Sequence, residues 1–221
     1  MRLHGIARAL ICPRKGLSYS AREANAAAAR MCGREPNAFM RAFRVDPWQG
    51  EGALPGEARG GENGVAAAYM NPWEDNFRCN DSRVFFAYEF LESHGFPLVM
   101  ETGYPWVSHV SQLWEVAGMF PSLRILASNA GQLDLSGLSF GSVSAVLAES
   151  PNLYLGTAAA VAADWLKEAA ENWAKGRVVF TTSYPMFEPE MERFRIDNGC
   201  MSDAAKREIY YDNPLRFLGL S

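Results

Sequence analysis

Histidine is scarce in this chain: His4, His94 and His109 are the only three in 221 residues. Cysteine is nearly as rare. Cys12, Cys32, Cys79 and Cys200 lie far apart and form no C-x-x-C pair, which leaves a thiol-based metal site unsupported and points to reduced, structural cysteines. Basic runs are also missing. No stretch of Lys or Arg exceeds the pair Arg14-Lys15, and the net charge is −4, so the clustered footprint of a nucleic-acid surface is lacking. No apolar run approaches the roughly 20 residues that span a bilayer. The opening Met1-Arg-Leu-His-Gly-Ile6 carries no signal-peptide apolar region, so a cytoplasmic location is expected, with no membrane and no nucleic acid among the partners.

The residues present describe a globular protein, 48% apolar and 21% charged, long enough for one domain over residues 1–221 with a substantial core. Short apolar runs alternate with longer amphipathic stretches, the habit of βα units. Strands are predicted at Ala7–Cys12, Phe39–Val45, Gly64–Met70, Pro97–Gly103, Leu123–Ala127, Leu153–Thr157 and Arg177–Thr181. Helices are predicted at Ser20–Cys32 (with Glu23 three residues after Ser20), Asp81–His94, Ser108–Phe120, Phe140–Ala148, Ala162–Ala174, Pro189–Ile196 and Ser202–Leu218. The glycine-rich stretch from Gln49 to Asn63 allows only a short or degraded helix.

Strands and helices of one sense give either a doubly wound sheet or a (β/α) barrel. No G-x-G-x-x-G or G-x-x-x-x-G-K-[ST] motif follows a predicted strand, so neither nucleotide cradle is supported. Polar residues gather where strands end, at Asn71, Glu101, Asn129 and Thr182-Ser183. A barrel carries its active site on that face.

Several segments then resemble one family. Pro97-Leu-Val-Met-Glu-Thr-Gly103 and Val178-Val-Phe-Thr-Thr-Ser-Tyr-Pro185 are similar to the "Pro-Val-x-x-His-Thr-Gly" and "Phe-Gly-Ser-Asp-Tyr-Pro" strand ends of the metal-dependent amidohydrolase-related family, which includes aminocarboxymuconate-semialdehyde and resorcylate-type decarboxylases. Phe43-Arg-Val-Asp-Pro47, Phe120-Pro-Ser-Leu-Arg-Ile-Leu-Ala127, Ser150-Pro-Asn-Leu-Tyr-Leu155 and Tyr211-Asp-Asn-Pro-Leu-Arg-Phe-Leu-Gly-Leu220 resemble further pieces of it, in the family's order, from about Gly5 to Leu220. The resemblance implies a TIM-barrel-like fold. It also implies a seven-stranded, incomplete or distorted barrel, because nothing here matches the family's first strand and its His-x-His pair.

By the same resemblance, metal ligands are replaced. A family His falls at Glu101, another at Asn129 within Ser128-Asn-Ala-Gly131, and the metal-binding Asp falls at Ser183. Catalytic zinc takes three protein ligands from His, Asp, Glu and Cys, and Asn and Ser serve poorly. The expectation is therefore no metal and no cofactor, with Glu101 as a general acid or base at a strand end. Its bland counterpart is a carboxylate paired with Arg44 to fill an old cavity. Asn129, Ser183 and Tyr69 are candidate substrate hydrogen bonders, though Asn129 and Ser183 could equally satisfy each other in a collapsed cavity. Asn71, Trp73, Tyr104, Trp106 and Tyr184 stand at or just after strand ends, where they could line a pocket or plug a core. His109, one turn into a helix near the mouth, could reach the site or lie on the surface, while His94 fits a helix C-cap.

Two function classes follow. One is a metal-independent enzyme acting on a small organic substrate by dehydration, decarboxylation, cyclisation, or ester and lactone hydrolysis. The other is a pseudoenzyme that binds a ligand or a protein partner. A third reading is an unusual metal site from Glu101, Asp134 and His109. An incomplete barrel also exposes edges, which are expected to be sealed by pairing of Ala7–Cys12 with Arg177–Thr181 or by a second copy in a homo-oligomer.

Overall fold

The computed structural model describes residues 1, 4–54, 64–131 and 139–220. Seven parallel strands run in chain order: β1 Ala9–Ile11, β2 Phe39–Arg44, β3 Val65–Met70, β4 Leu98–Met100, β5 Ile125–Ala127, β6 Leu153–Gly156 and β7 Val178–Val179. Each pairs with its neighbour, and among the described residues β7 does not pair back to β1. The sheet curls into an incomplete barrel. All seven predicted strands form, each within the predicted span and shorter than it.

Helices cover the outer face: α1 Ala21–Arg34, α2 Pro72–Asp75, α3 Phe85–Ser93, α4 Val110–Met119, α5 Phe140–Glu149, α6 Ala163–Glu168, α7 Pro189–Asp197, α8 Asp203–Arg207 and α9 Asn213–Leu218. Ser20 caps α1 by accepting from the Glu23 amide at 3.3 Å. Glu23 itself bonds the Ser18 hydroxyl, so only half of a capping box forms. No helix among the described residues is long and apolar enough to cross a membrane. Most of the glycine-rich stretch, residues 55–63, lies outside the described residues; Pro47–Ala53 forms short 3₁₀ turns.

Period-two alternation divides the strands between two apolar clusters. Phe43, Ala68, Met70, Leu98, Met100, Ile125, Leu155 and Val178 face the helices and pack with Leu91, Leu113, Val116 and Leu147. Ala42, Ala67, Tyr69, Val99, Leu126, Tyr154 and Val179 face the lumen. Helix α9 adds Phe217, 2% exposed, to this lumen cluster, and Leu10 on β1 and Cys12 just past it pack against it. The Phe217 ring lies 5.3 Å from that of Tyr154.

The expected pairing of Ala7–Cys12 with Arg177–Thr181 is corrected by this arrangement. Arg177 and Val179 turn their carbonyls toward β6, leaving Val178 O and Phe180 N on the outer edge. Asn213 Nδ2 donates to Val178 O at 2.8 Å, and Phe180 N donates to Ile209 O at 3.0 Å. Ile209 O is available for a local reason. Between α8 and α9 the helix widens to π geometry over Glu208–Asp212, so the Asn213 N–H reaches Glu208 O. The next residue, Pro214, has no N–H to give. One predicted helix over Ser202–Leu218 thus becomes α8, a wide turn and α9, and its C-terminal half covers the edge of β7.

Candidate active site

Register places the polar strand ends side by side. Tyr69 lies opposite Val99, and Val99 opposite Leu126. Two residues further on, at the same parity, come Asn71, Glu101 and Ser128. Glu101 N bonds Met70 O at 2.9 Å and Ser128 N bonds Met100 O at 3.0 Å, so the ladder continues past the strands. Glu101 ends up 5% exposed at the mouth of the lumen.

Three donors orient this carboxylate. Asn129 Nδ2 donates to Oε1 at 3.0 Å, while the Tyr69 hydroxyl and Ser128 Oγ each donate to Oε2 at 3.3 Å. A second ring of bonds fixes the donors. Asn71 Nδ2 donates to the Tyr69 hydroxyl at 3.1 Å, Thr102 N donates to Ser128 Oγ at 3.2 Å, and Ser183 Oγ donates to Asn129 Oδ1 at 2.8 Å. Burial, and then the charge of Glu101, push the Tyr69 phenol well above its usual value, so it stays protonated and donates. Burial also pushes the Cys12 thiol up to about 12, with Glu101 adding to the effect, which removes it as a neutral-pH nucleophile.

The backbone is distorted here as well. Asn129, Ala130 and Gly131 follow one another in the left-handed region, at φ 53°, 54° and 69°, and Ser183 sits at 47°. Such conformations cost a non-glycine residue about 1–2 kcal/mol each, and asparagine tolerates them best. A Cβ on Gly131 would stand 3.1 Å from Val143 Cγ2, a tight approach.

One side of the mouth is charged. Arg14, just past β1, places Nε 3.1 Å from Glu74 Oε1 and Nη2 3.9 Å from Glu101 Oε1. Arg44, on β2, gives Nη1 to Glu74 Oε2 at 2.6 Å and Nη2 to Asp75 Oδ2 at 2.8 Å. Lys15 pairs with Asp75 at 2.5 Å and Asp46 at 3.2 Å. Burial opposes the ionised Glu74, but its bonds to Arg44 and Arg14 outweigh this and hold its carboxyl below the usual range. Arg44 as the partner of Glu101 is therefore corrected: its fully buried guanidinium is neutralised by Glu74 and Asp75, and it meets the site through the Tyr69 ring, 5.6 Å away.

The structure thus brings Tyr69, Asn71, Glu101, Asn129 and Ser183 together. The remaining candidates lie elsewhere or at the rim. Trp73 and Tyr104 stack at 4.8 Å and 8°, with Trp73 56% exposed. Trp106 and Tyr184 are 75% and 65% exposed. His109 caps α4: its Nδ1 accepts from Ser111 N at 3.2 Å and its own N–H donates to Gln112 Oε1 at 3.1 Å, which ties the residue to its own helix. Asp134 lies outside the described residues. Among those described, no group of three or more His, Cys, Asp or Glu side chains could hold a metal ion. Sequence reasoning missed Arg14, Glu74 and Ser128. For Arg14 the signal was the strand parity of Leu10 and Cys12 carried two residues further.

The amidohydrolase family profile matches residues 18–220. No curated protein matches the chain. Among solved structures, an uncharacterised TIM-barrel protein from Bordetella bronchiseptica is 22% identical at a TM-score of 0.83, covering 100% of this chain and 80% of that one. A 5-carboxyvanillate decarboxylase from Sphingomonas paucimobilis is 14% identical at 0.78, with 100% and 81% covered. A dihydroxybenzoic acid decarboxylase from Polaromonas sp. JS666, with bound manganese and 2-nitroresorcinol, is 16% identical at 0.74, with 100% and 84% covered. The profile spans nearly all of the sequence and these structures share its barrel, so the chain belongs to the amidohydrolase family.

Proposed function

We propose that this chain is a metal-independent enzyme that moves a proton on a small organic substrate, with Glu101 as general acid and base. One observation carries the reading. A carboxylate offers about four acceptor positions. Tyr69 and Ser128 occupy those of Oε2, and Asn129 takes one on Oε1, which leaves one acceptor position on a buried oxygen at the mouth. A substrate proton donated there is within reach of a fixed base. Asn129 and Ser183 hold the oxygen in place, and Tyr69, kept protonated, contributes a donor.

Metals bound by fold relatives require a separate test of this donor set. Glu101 is the one carboxylate among Glu101, Asn129 and Ser183, and Asn129 and Ser183 are already bonded to each other. Of the nearby donors, Cys12 holds its proton tightly and Glu74 is taken by Arg14 and Arg44, and no group of three or more His, Cys, Asp or Glu among the described residues could hold a metal ion. These residues do not fit a catalytic zinc or manganese ion.

The decarboxylases among the fold relatives supply a first panel: aromatic carboxylic acids, joined by simple esters and lactones, followed by NMR in the presence of excess chelator. Turnover by the wild type that falls about 10²- to 10⁴-fold in Glu101→Gln supports the assignment. Equal turnover by the variant sinks it. A second reading, a non-catalytic relative that binds a ligand or protein partner, draws on the mutual satisfaction of Asn71, Tyr69, Asn129 and Ser183. Binding of a panel member without any turnover would favour it.

A further inference from the structure

The two ends of the sheet are finished differently. The outer edge of β7 is bonded by Asn213 and Ile209, whereas β1 has no such cover. Ala9 N bonds Ala38 O at 2.9 Å, so by alternation Leu10 turns its N–H and C=O away from β2, and among the described residues nothing bonds them. Helix α7 lies beside this open end, tied to the segment before β1 by the Arg193 guanidinium, which donates to His4 O. An uncovered strand edge invites association.

Exposed apolar side chains crowd the segments on both sides of that gap. Past β1, a turn closed by Tyr19 N on Gly16 O at 3.0 Å lifts Leu17 fully into solvent, and Tyr19 beside it is 71% exposed. Turn tips ordinarily carry Gly, Pro, Asn, Asp or Ser. Past β7, Met186, Met191 and Phe194 are all exposed, Phe194 at 60%. Met191 and Phe194 share one face of α7, opposite the face that buries Glu192 and Ile196. Unpaired charge divides the same way. Arg8 and Arg22 are exposed on the β1 side, Glu188 and Glu190 on the β7 side, and none of these four side chains has an ion-pair or hydrogen-bond partner among the described residues. The other charges are occupied: Glu23 holds the Ser18 hydroxyl, and Arg193 and Arg195 pair with Asp197 and Glu192.

Such a face has exposed apolar groups on both halves, open cations on one and open anions on the other. A two-fold axis makes that pattern self-complementary, because each half then meets the opposite half of a second copy. We propose that this face joins two copies of the chain, with Leu17, Tyr19 and Arg22 of one copy against Met191, Phe194 and Glu190 of the other, and the reverse contact beside it. A second copy there covers the side of the barrel that no strand closes. This pairing is independent of the proton-transfer role of Glu101.

Sedimentation velocity of the full chain over a concentration series tests this. The wild type is expected to reach a dimer and stop there. Phe194→Ser weakens the dimer at least about tenfold, the loss expected for a central apolar anchor. Arg22→Glu and Glu190→Lys each weaken it as well. An equimolar mixture of those two variants forms a dimer tighter than either forms alone, because each altered charge then faces its opposite. A wild type that stays monomeric at its highest soluble concentration overturns the proposal. So does growth past the dimer, wild-type association in Phe194→Ser, or a mixture no tighter than its components. Should Phe194→Ser misfold by circular dichroism, Met191→Ser on the same helix face carries the same comparison.

Discussion

Asn129 Nδ2 sits 3.0 Å from Oε1 of Glu101, so an amide at the end of β5 holds a carboxylate at the end of β4. Asn129 makes this contact from a left-handed backbone at φ 53°, and the amide's other end is taken by Ser183. An acceptor in place of the Nδ2 donor would face Glu101 as a like charge. Asn129→Asp is accordingly expected to lose about 1–3 kcal/mol at neutral pH, the cost of a buried polar group left without its partner. Burial beside the Glu101 carboxylate disfavours the charged form of the new carboxyl, so its folded-state pKa is raised above the unfolded one. The loss is then present at high pH and shrinks as the solution is acidified. Urea denaturation at neutral and mildly acidic pH would check this; an equal loss at both would contradict it.

Phe217 fills the lumen in a way the strands alone do not. With 2% exposure and a ring 5.3 Å from that of Tyr154, it joins the lumen cluster alongside residues of β1 and β7. Phe217→Ala should cost about 3–5 kcal/mol in equilibrium unfolding. A loss below about 1 kcal/mol would show that α9 merely lies against the barrel.

Acid should act on the charged side of the mouth. The folded-state pKa of Glu74 is lowered, so its contribution is fully present above the unfolded value and is lost as pH falls through the folded one. Stability measured from neutral pH down past the ordinary glutamate range of about 4.3–4.5 should fall more steeply for the wild type than for Glu74→Gln. Parallel curves would exclude Glu74 as a contributor.

Gly156 has no room for a side chain. A Cβ there would meet Thr181 Oγ1 at 2.9 Å and Ala127 O at 3.3 Å, and Thr181 Oγ1 also accepts from Ala158 N at 2.9 Å. Gly156→Ala is expected to destabilise by about 1–3 kcal/mol, the usual cost of overpacking. Partial recovery in the double variant with Thr181→Ala would locate the clash; an unaffected single variant would refute it.

The strand ladder was legible because lumen and helix faces alternate so cleanly: Ala42, Ala67, Tyr69, Val99 and Leu126 can be read off by parity alone. The strand-end polar set was legible for the same reason, since Tyr69, Asn71 and Glu101 share one parity. The partner of Glu101 was not, because two arginines, Arg14 and Arg44, stand at neighbouring strand ends, and only the position of Glu74 and Asp75 on α2 decides which of them is discharged. His109 was placed inside the helix because capping depends on backbone geometry at one residue, and Ser108 before it is the better cap by type. Closure of the β7 edge by Ile209 and Asn213 rests on a wide helical turn before Pro214, which apolar periodicity does not report.

The most direct test of Glu101 as a metal-free acid and base is the metal content of purified, folded protein, measured by elemental analysis after incubation with zinc and manganese and removal of unbound ions. Far less than one ion per chain is expected. About one transition-metal ion per chain, lost in Glu101→Gln, would contradict it and make Glu101 a ligand.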